Sequence, residues 1–290
     1  MSTGVESVLH IQFDSNRVLA AIGGKKITLF HFVPTMYTVL AGHSKTRELD
    51  LSSMRFCTSG GAPLPIEVIR RFKELTGVAP REGYALTETT GVGTMQAREL
   101  EPVPGNVGPP LPGIIVEIVD VENGSQLLPS GKLGEICFKG PQIMKGYWNK
   151  PEATREAFRG GRFHTGDIGF IDAQGCVTVV DRKKDMIISG GYNVFPRIVE
   201  EAIYHHPAVA EVMVIGIPDP TFGQLAKAFV VLKQGQAPFG YNEMKAFLTD
   251  RLASYEMPTA LEFRSSLPKT SAGKLSKKEL AAREAARLRE

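Results

Sequence analysis

Cysteine is scarce in this sequence and long apolar runs are missing, and each shortage excludes a class of protein. The three cysteines, Cys57, Cys137 and Cys176, lie far apart and show no C-x-x-C spacing. We therefore expect buried thiols rather than a disulfide framework or a zinc site. No stretch approaches the roughly 20 apolar residues of a membrane-spanning helix, and residues 1–10 lack the basic region and apolar core of a secretory signal. The sequence predicts a cytoplasmic protein without a membrane span.

Neither acidic nor basic residues predominate in the chain. The chain has 34 basic and 31 acidic residues and a formal net charge of +3, which is too small to indicate a nucleic-acid partner. The basic excess is concentrated in residues 269–290, where seven basic residues accompany three acids. Such a segment is usually the solvated face of a helix, although it would also attract a polyanion such as ATP or CoA.

The order of helical, strand and turn patterns predicts a mixed α/β and α+β protein of three parts. Over residues 1–100, strand, glycine-rich loop and helix follow one another, which is the unit of a parallel α/β sheet. From 101 to 182, prolines end the helical patterns, and short alternating strands predict a small β-rich module similar to a barrel. Residues 183–290 alternate helices with strands and predict a compact α+β domain.

Two segments of the first part contain residues that suit nucleotide binding. Residues 59–63 place two glycines after a strand, where the backbone can approach a flat ring or a phosphate; a plain turn explains them as well. In residues 84–90, hydroxyls cluster beside the carboxylate of Glu88. Hydroxyls donate to phosphate oxygens and a carboxylate is a hard ligand for Mg²⁺, but a helix N-cap with an acid in the first turn would use the same residues.

Three later segments also contain residues suited to chemistry. Asp167 follows a Thr-Gly turn, where it suits either a pair of ribose hydroxyls or an Asx-turn. Residues 181–185 are charged and lie where the β-rich module ends, so they form either a solvated linker or an arginine that holds a nucleotide beside a hinge. Residues 267–274 form a Pro/Gly/Ser loop that ends in Lys274, and a lysine in such a loop is usually exposed.

In order and spacing, these segments resemble the adenylate-forming superfamily, which includes acyl-CoA synthetases, luciferases and the adenylation domains of peptide synthetases. The resemblance runs from about residue 13 to residue 280. The run GGYNVFP at 190–196 is similar to that of fatty-acyl-CoA synthetases in particular. The resemblance implies an enzyme that joins a carboxylic acid to CoA through acyl-AMP and releases AMP and diphosphate. Small residues at 91–94 favour a medium- or long-chain fatty acid, and aryl acids stay open.

The resemblance implies a nucleotide site for ATP that is built from six residues: Gly60, Gly61, Ala62, Tyr84, Asp167 and Arg182. The first three would line the adenine, with the tyrosine stacked near it. The aspartate would bind the ribose hydroxyls, with the arginine beside it. Thr87 would contact phosphate, and Glu88 would hold Mg²⁺.

The resemblance further implies that one site serves two half-reactions. Lys184 would be the hinge before the C-terminal domain, and Lys274 would reach the reacting groups during adenylation. Mg²⁺ and Lys274 would offset the repulsion between the acid's carboxylate and the α-phosphate. After rotation about the hinge, the loop of Gly190, Gly191 and Tyr192 would face CoA.

One segment of the superfamily is missing. Its Ser/Thr/Gly-rich loop, of the type T-S-G-T-T-G-x-P-K-G, grips the β- and γ-phosphates and would lie upstream of every motif found here. Residues 2–4 are too short a match and lack the lysine. We expect exposed apolar surface in consequence, and either a separate N-terminal half or a homo-oligomer as partner. The alternative is a catalytically inactive fragment that binds nucleotide or a partner protein.

Overall fold

The computed structural model describes residues 4–99, 101–103, 105–269 and 275–287, which form a mixed α/β fold as predicted. Contacts divide the chain into two compact units. The first comprises the residues up to Glu117 with Cys137–Phe163 and Ile171–Thr178; the second comprises Ile118–Ile136, His164–Phe170 and the residues from Val179 onward. The domain boundaries at residues 100 and 182 stay a prediction, because these units are defined by contacts and not by position along the chain.

The first sheet contains four strands and is covered by three helices. Its elements are α1 (Ser15–Lys25), β1 (Leu29–Phe32), α2 (Pro34–Gly42), β2 (Phe56–Ser59), α3 (Ile66–Thr76), β3 (Arg81–Leu86) and β4 (Gly91–Met95). Strands β1, β2 and β3 are parallel, and β4 returns antiparallel to β3. Asp14 caps α1 by accepting a hydrogen bond from the Arg17 amide at 2.8 Å. Tyr37 and Phe72 join α2 to α3 in the buried core, with ring centroids 5.0 Å apart.

The second sheet contains six strands, and it corrects the prediction of a barrel. Its elements are β5 (Asn106–Gly108), β6 (Ile115–Val119), β7 (Gly134–Lys139), α4 (Pro151–Ala157), β8 (Phe158–Arg159), β9 (Arg162–Ile171) and β10 (Val177–Arg182). The strand order is β5-β10-β9-β7-β6, with β8 paired to β9. Among the described residues, β5 and β6 do not pair with each other, so the sheet stays open. A barrel would need that pairing to close.

The third sheet belongs to the second unit and has helices on both faces. Its elements are β11 (Ile187–Ser189), β12 (Tyr192–Val194), α5 (Pro196–Tyr204), β13 (Val209–Asp219), β14 (Gly223–Leu232), α6 (Tyr241–Leu248), β15 (Ala260–Phe263) and α7 (Lys277–Arg287). The order is β12-β11-β14-β13, with β15 parallel to β14. Alternation along β13 sends Val212 and Val214 into the core beside α5 and α6, and Met213 into the cluster that contains Leu280 of α7.

Ion pairs reinforce the packing of α7 at both of its ends. Near its start, Lys277 Nζ lies 3.0 Å from Glu200 and 4.0 Å from Asp181. Burial lowers the pKa of Lys277, but the two carboxylates outweigh burial and raise it, so this lysine stays charged. Farther along, Glu284 accepts a hydrogen bond from Lys227 at 2.6 Å. Among the described residues, no helix is both long and apolar enough to cross a membrane.

Glu117 of β6 contacts cations on β7 and on β9, and replacing it is expected to lower stability in a pH-dependent way. Its carboxylate contacts Lys139 at 2.9 Å and Arg162 at 2.7 Å. Burial raises the pKa of Glu117, but the hydrogen bonds from the two cations outweigh burial and lower it below 4.5. Glu117→Gln should reduce the free energy of unfolding at pH 7 by about 1–3 kcal/mol in urea titrations.

The sign of the pH dependence follows from the lowered pKa. A carboxylate that is more acidic in the folded state stabilises the protein above its unfolded pKa, and this stabilisation is lost as the pH falls through the folded pKa. The difference between wild type and Glu117→Gln should therefore shrink below pH 4.5. The exposed Glu122→Gln is the matched control and should change stability by less than about 0.5 kcal/mol. An equal effect of both substitutions at every pH would contradict the assignment.

Candidate active site

The glycine loop, residues 59–65, lies between the end of β2 and the start of α3. The Gly60 amide donates to the Phe32 carbonyl at 3.2 Å, and Gly61 has φ of 80°, which favours glycine. The buried carboxylate of Glu82 fixes the far end of the loop by accepting a hydrogen bond from the Leu64 amide at 3.0 Å. The loop thus follows the carboxyl end of a parallel strand, where ligands bind in open α/β sheets.

A pocket of about 470 Å³ opens beside this loop. Its apolar walls come from six side chains: Phe32, Val33, Met36, Ala85, Val92 and Met95. The polar part of the lining consists of His31, Thr58 and Ser59, together with the backbone of Gly60 and Gly61. A mainly apolar cavity with a few polar groups is typical of a small-molecule site.

Two of the residues predicted to contact adenine lie outside this pocket's lining. Ala62 is half-buried in the glycine loop. Tyr84 is buried on β3, and its ring centroid lies 5.7 Å from that of Phe138. The structure therefore brings Gly60 and Gly61 to the pocket, while the roles of Ala62 and Tyr84 beside the adenine stay a prediction.

Thr87 and Glu88 lie in a single 3₁₀ turn, Thr87–Thr89, that links β3 to β4. The Thr89 hydroxyl closes this turn by bonding to the Leu86 amide at 3.0 Å, so Thr89 serves the local fold. Thr87 and Thr90 are exposed. The sequence left a helix N-cap and a phosphate site as alternatives for these hydroxyls. In the structure Thr89 caps the turn, and the hydroxyls of Thr87 and Thr90 are exposed to solvent.

The carboxylate of Glu88 is held by the segment before α4. Tyr147 Oη donates to Glu88 Oε1 at 2.9 Å, and the Met144 amide donates to the Glu88 carbonyl at 2.8 Å. Burial, together with the hydrogen bond to Glu88, raises the pKa of Tyr147. The described residues contain no cluster of three or more potential metal ligands. A single carboxylate still fits Mg²⁺, which usually binds one or two protein carboxylates and completes its shell with water and substrate phosphates.

Asp167 and Arg182 form a salt bridge in the second unit. Arg182 Nε lies 2.9 Å from Asp167 Oδ1, and the aspartate side chain is only 4% exposed while the arginine side chain is 49% exposed. The side-chain turn expected at this position is formed by Thr165, whose hydroxyl accepts from the Asp167 amide at 3.0 Å. The structure thus places the two residues side by side, as the resemblance implied, and their role toward ribose stays a prediction.

Glu135 of β7 supports this pair, and the sequence motifs did not identify it. Its buried carboxylate contacts His164 Nδ1 at 3.2 Å and Lys183 Nζ at 3.3 Å, and accepts from the Gly166 amide at 3.2 Å. Burial raises the pKa of Glu135, but His164 and Lys183 outweigh burial and lower it. One feature of the sequence could have identified it, namely an acidic residue inside an otherwise apolar strand. A carboxylate buried in this way needs hydrogen-bond donors, so such a residue indicates polar partners elsewhere in the chain.

The predicted hinge residue, Lys184, is exposed in the 3₁₀ turn Lys183–Asp185. Three residues before it, Asp181 is buried and accepts hydrogen bonds from the Arg182 amide at 2.7 Å and the Arg197 amide at 2.8 Å. The start of α5 and the residue before the turn are therefore tied to the same carboxylate.

The loop predicted to face CoA is a tight hairpin between β11 and β12. Gly190 and Gly191 have φ of 57° and 85°, the conformation that a two-residue type I′ turn requires. An exposed aromatic patch surrounds this hairpin: Tyr192 stacks on Tyr255 at 4.7 Å, and the Phe222 carbonyl accepts from the Gly190 amide at 2.9 Å. Exposed apolar patches of this kind often mark binding surfaces.

The predicted catalytic lysine, Lys274, lies outside the described residues. The residues on either side of it are anchored in the second unit. Lys269 forms a β-bridge with Leu275 and contacts Glu211 at 2.5 Å, and the Ser276 amide donates to the Pro268 carbonyl at 2.9 Å.

Comparison with known proteins assigns a family to this arrangement. Residues 1–148 match the family model of the AMP-binding enzyme, and residues 198–274 match that of the AMP-binding enzyme C-terminal domain. The chain belongs to the AMP-binding enzyme family, which confirms the resemblance inferred from the motifs.

Individual relatives cover nearly all of this chain. It is 45% identical over 277 residues to a long-chain-fatty-acid–CoA ligase of Bacillus subtilis, covering 96% of this chain and 49% of the relative. It is 41% identical to a feruloyl-CoA synthase of Amycolatopsis, covering 94% of this chain and 55% of the relative. The crystal structure of ATP-bound MatB from Rhodopseudomonas palustris matches with a TM-score of 0.86 at 37% identity, covering 94% and 53% of the two chains. The chain thus spans about half the length of the relatives it matches.

Replacing Glu135 is expected to loosen the segment that contains Asp167. Glu135→Gln removes the anion that faces Lys183 and His164, so the free energy of unfolding should fall by about 2–4 kcal/mol. Hydrogen exchange should accelerate at the Gly166 amide, because its acceptor changes from a carboxylate to the weaker neutral oxygen of an amide.

The exposed pair of Glu279 and Arg283 provides a control for this substitution. Glu279→Gln should change stability by no more than about 0.5 kcal/mol and should leave exchange at Gly166 unaltered. If Glu135→Gln were as stable as the control and exchanged at the wild-type rate, Glu135 would not be a support of this segment.

Proposed function

We propose that this chain takes part in activating a carboxylic acid with ATP and transferring the acyl group to CoA, with AMP and diphosphate as the other products. The observation that carries the proposal is the buried Asp167 paired with Arg182, in a chain that belongs to the AMP-binding enzyme family. A buried carboxylate beside a half-exposed arginine is suited to accept hydrogen bonds from two vicinal hydroxyls, as on a ribose.

The other nucleotide contacts in this proposal are those that the family resemblance implies. The backbone of Gly60 and Gly61, which lacks side chains that would block a flat ring, would line the adenine together with Ala62. Tyr84 would lie near the ring. Asp167 would bind the ribose hydroxyls, with Arg182 beside it at 2.9 Å.

The triphosphate would be bound near the turn between β3 and β4. Thr87 would donate its exposed hydroxyl to a phosphate oxygen, and Glu88 would hold Mg²⁺. When bound, the cation would neutralise part of the phosphate charge and lower the barrier to attack. Tyr147 would keep the Glu88 carboxylate in one orientation through the hydrogen bond of 2.9 Å.

The reaction divides into two balanced transfers. In the first, a carboxylate oxygen of the acid attacks the α-phosphorus of ATP, the bond to the β-phosphate oxygen breaks, and diphosphate leaves. In the second, the CoA thiolate attacks the acyl carbon of acyl-AMP, and AMP leaves with the electrons of the broken carbon–oxygen bond. Lys274 would stabilise the charge that develops on phosphate in the first transfer.

The second transfer would use the hairpin of Gly190 and Gly191 after rotation about Lys184. The exposed aromatic patch beside the hairpin, with Tyr192 stacked on Tyr255, supports a contact to a flat or apolar portion of CoA. The small glycines would let the thiol arm pass close to the backbone.

The acid has an apolar body under this proposal, because the walls beside the glycine loop are mainly apolar. A medium- or long-chain fatty acid is the first candidate, as the name of the Bacillus subtilis relative indicates. An aryl acid is the second, since the relatives include a feruloyl-CoA synthase and the structure of an anthranilate–CoA ligase. A separate N-terminal half would supply further contacts to the phosphates, and the exposed Leu9 and Ile11 are apolar surface that such a partner would cover.

The proposal predicts acyl-AMP and acyl-CoA formation that depends on Lys274. The purified chain is incubated with ATP, Mg²⁺, CoA and a panel of fatty and aryl acids, with and without the N-terminal half of the Bacillus subtilis relative, and products are measured by mass spectrometry. Lys274→Ala should lower the rate of acyl-AMP formation by roughly 10² to 10³, because one charge-stabilising group is lost from the transition state.

Lys278→Ala is the matched control, since it removes the same charge from an exposed position of α7. It should leave the rate within about twofold of wild type. Absence of acyl-AMP in every mixture, with no acyl-CoA when acyl-AMP is supplied, would sink the ligase assignment. ATP binding that persists in that case would favour the alternative, an inactive nucleotide-binding fragment.

A further inference from the structure

The first sheet has its helices on one face. Side chains alternate along β1 and β2, and Phe30 and Cys57 point to the face that packs against α1, α2 and α3. The register of the strands places another set of residues on the opposite face, here called the uncovered face: Leu29, His31, Phe56, Thr58, Ala85 and Val92. Sheets built from parallel strands are normally covered on both faces, so an exposed face of this kind indicates a binding partner.

The uncovered face is mainly apolar and much of it meets solvent. Leu29 is 46% exposed and Val92 is 39% exposed. The register also assigns Arg81 to this face, and its guanidinium donates to the Arg98 carbonyl at 2.8 Å. Contiguous exposed apolar surface on a folded protein marks an interaction site more often than an accident of packing.

The open edge of β1 borders the uncovered face. Within the described part of the chain, the strand order is β1-β2-β3-β4, so β1 has a neighbour on one side. The Phe32 carbonyl accepts from the Gly60 amide on that side. Because backbone groups alternate along a strand, the amides of Leu29 and His31 point to the open edge. Strand β1 contains no acid, lysine, arginine or proline, the residues that usually keep an edge strand from pairing with another polypeptide.

The segment before α1 adds apolar surface beside the same edge. The rings of Phe13 and Phe32 meet edge to face with centroids 5.8 Å apart, which brings the start of α1 to the end of β1. Just before Phe13, Leu9 and Ile11 are almost fully exposed. A partner that pairs with β1 would therefore also meet these two side chains.

The pocket beside the glycine loop favours one occupant of the uncovered face. His31 and Val92 line this pocket, so whatever covers the face also closes the open side of the pocket. Under the proposed function Gly60 and Gly61 adjoin the adenine there, and a closed wall would exclude water from the reacting groups. A second copy placed symmetrically would set two such pockets mouth to mouth and bar ATP from both. The relatives are about twice as long as this chain, and their remaining half offers a polypeptide of sufficient size.

We propose that the uncovered face and the open edge of β1 bind the N-terminal half of an enzyme of this family, which adds a strand to β1 and covers the face. The choice of this partner rests on the proposed function, whereas the surface is defined by the structure alone. Main-chain hydrogen bonds to β1 would supply affinity, and the apolar side chains would supply specificity.

Co-expression with the N-terminal half of the Bacillus subtilis relative tests this docking without requiring turnover. The tagged chain should retain the partner in equimolar amount through purification. In the complex, hydrogen exchange at the Leu29 and His31 amides should slow by about tenfold or more, because both gain acceptors on the added strand. The Phe30 amide already points toward β2, so its exchange should change by less than about twofold.

Leu29→Glu and Val39→Glu form a matched pair of variants, because both replaced side chains are 46% exposed. Leu29 lies on the uncovered face, and Val39 lies on α2 at the other side of the sheet. Each variant alone should keep the circular dichroism spectrum of the wild type. Leu29→Glu should lower the retained partner about tenfold, because docking would remove its carboxylate from water. Val39→Glu should retain the partner within about twofold of wild type.

The wild-type exchange measurement decides the matter even if Leu29→Glu does not fold. Absence of retained partner, unchanged exchange at the open edge, or equal loss in both variants would overturn the inference. A dimer of the chain alone that is lost in Leu29→Glu, measured by analytical ultracentrifugation, would overturn it as well, since a second copy would then be the occupant.

The same mixtures separate this inference from the proposed function. A complex that forms as expected but makes no acyl-AMP would count against the proposed function and would leave the docking surface in place. Acyl-AMP formed by the chain alone, with no partner retained, would support the proposed function and overturn the inference.

Discussion

A buried carboxylate needs hydrogen-bond donors within the protein. The donors of three such carboxylates fix the positions of the segments that contain the candidate site. Moving a carboxylate out of water costs several kcal/mol unless hydrogen bonds and opposite charges compensate. Glu82 meets the requirement with the Leu64 amide and so fixes the glycine loop. Glu135 meets it with His164 and Lys183, and Asp167 with Arg182. Since each acid has its donors on a different segment of the chain, satisfying the charge also sets the position of the loop.

Much of the architecture was accessible from local patterns. Glycines after a strand, a proline at the start of a helix and alternating apolar residues have local physical causes, and they gave the mixed α/β fold correctly. The barrel was wrong because closure depends on pairing between β5 and β6, which are remote from each other in the strand order. Alternation along a strand predicts which side chains point inward, but it does not state which edges meet.

The supporting residues of the site were harder to predict than the motif residues. Asp167 and Arg182 stand in segments with distinctive turns and charges, but only the resemblance to the family implied that the two residues lie together. Glu135 contacts Lys183 across 48 positions of sequence, and nothing local indicates that partnership. Single-residue chemistry can be read from a sequence, whereas the pairing of distant polar groups cannot.

The contacts on either side of residues 270–274 have a consequence for the helix that follows. On one side Lys269 is fixed by Glu211 and by its bridge to Leu275, and on the other Lys277 is fixed by Glu200. The entropy cost of closing a chain between two fixed points rises only slowly with the length of that chain. Helix α7 should therefore stay packed on the third sheet when residues are inserted between these two anchors, because the contacts that hold it belong to the anchors.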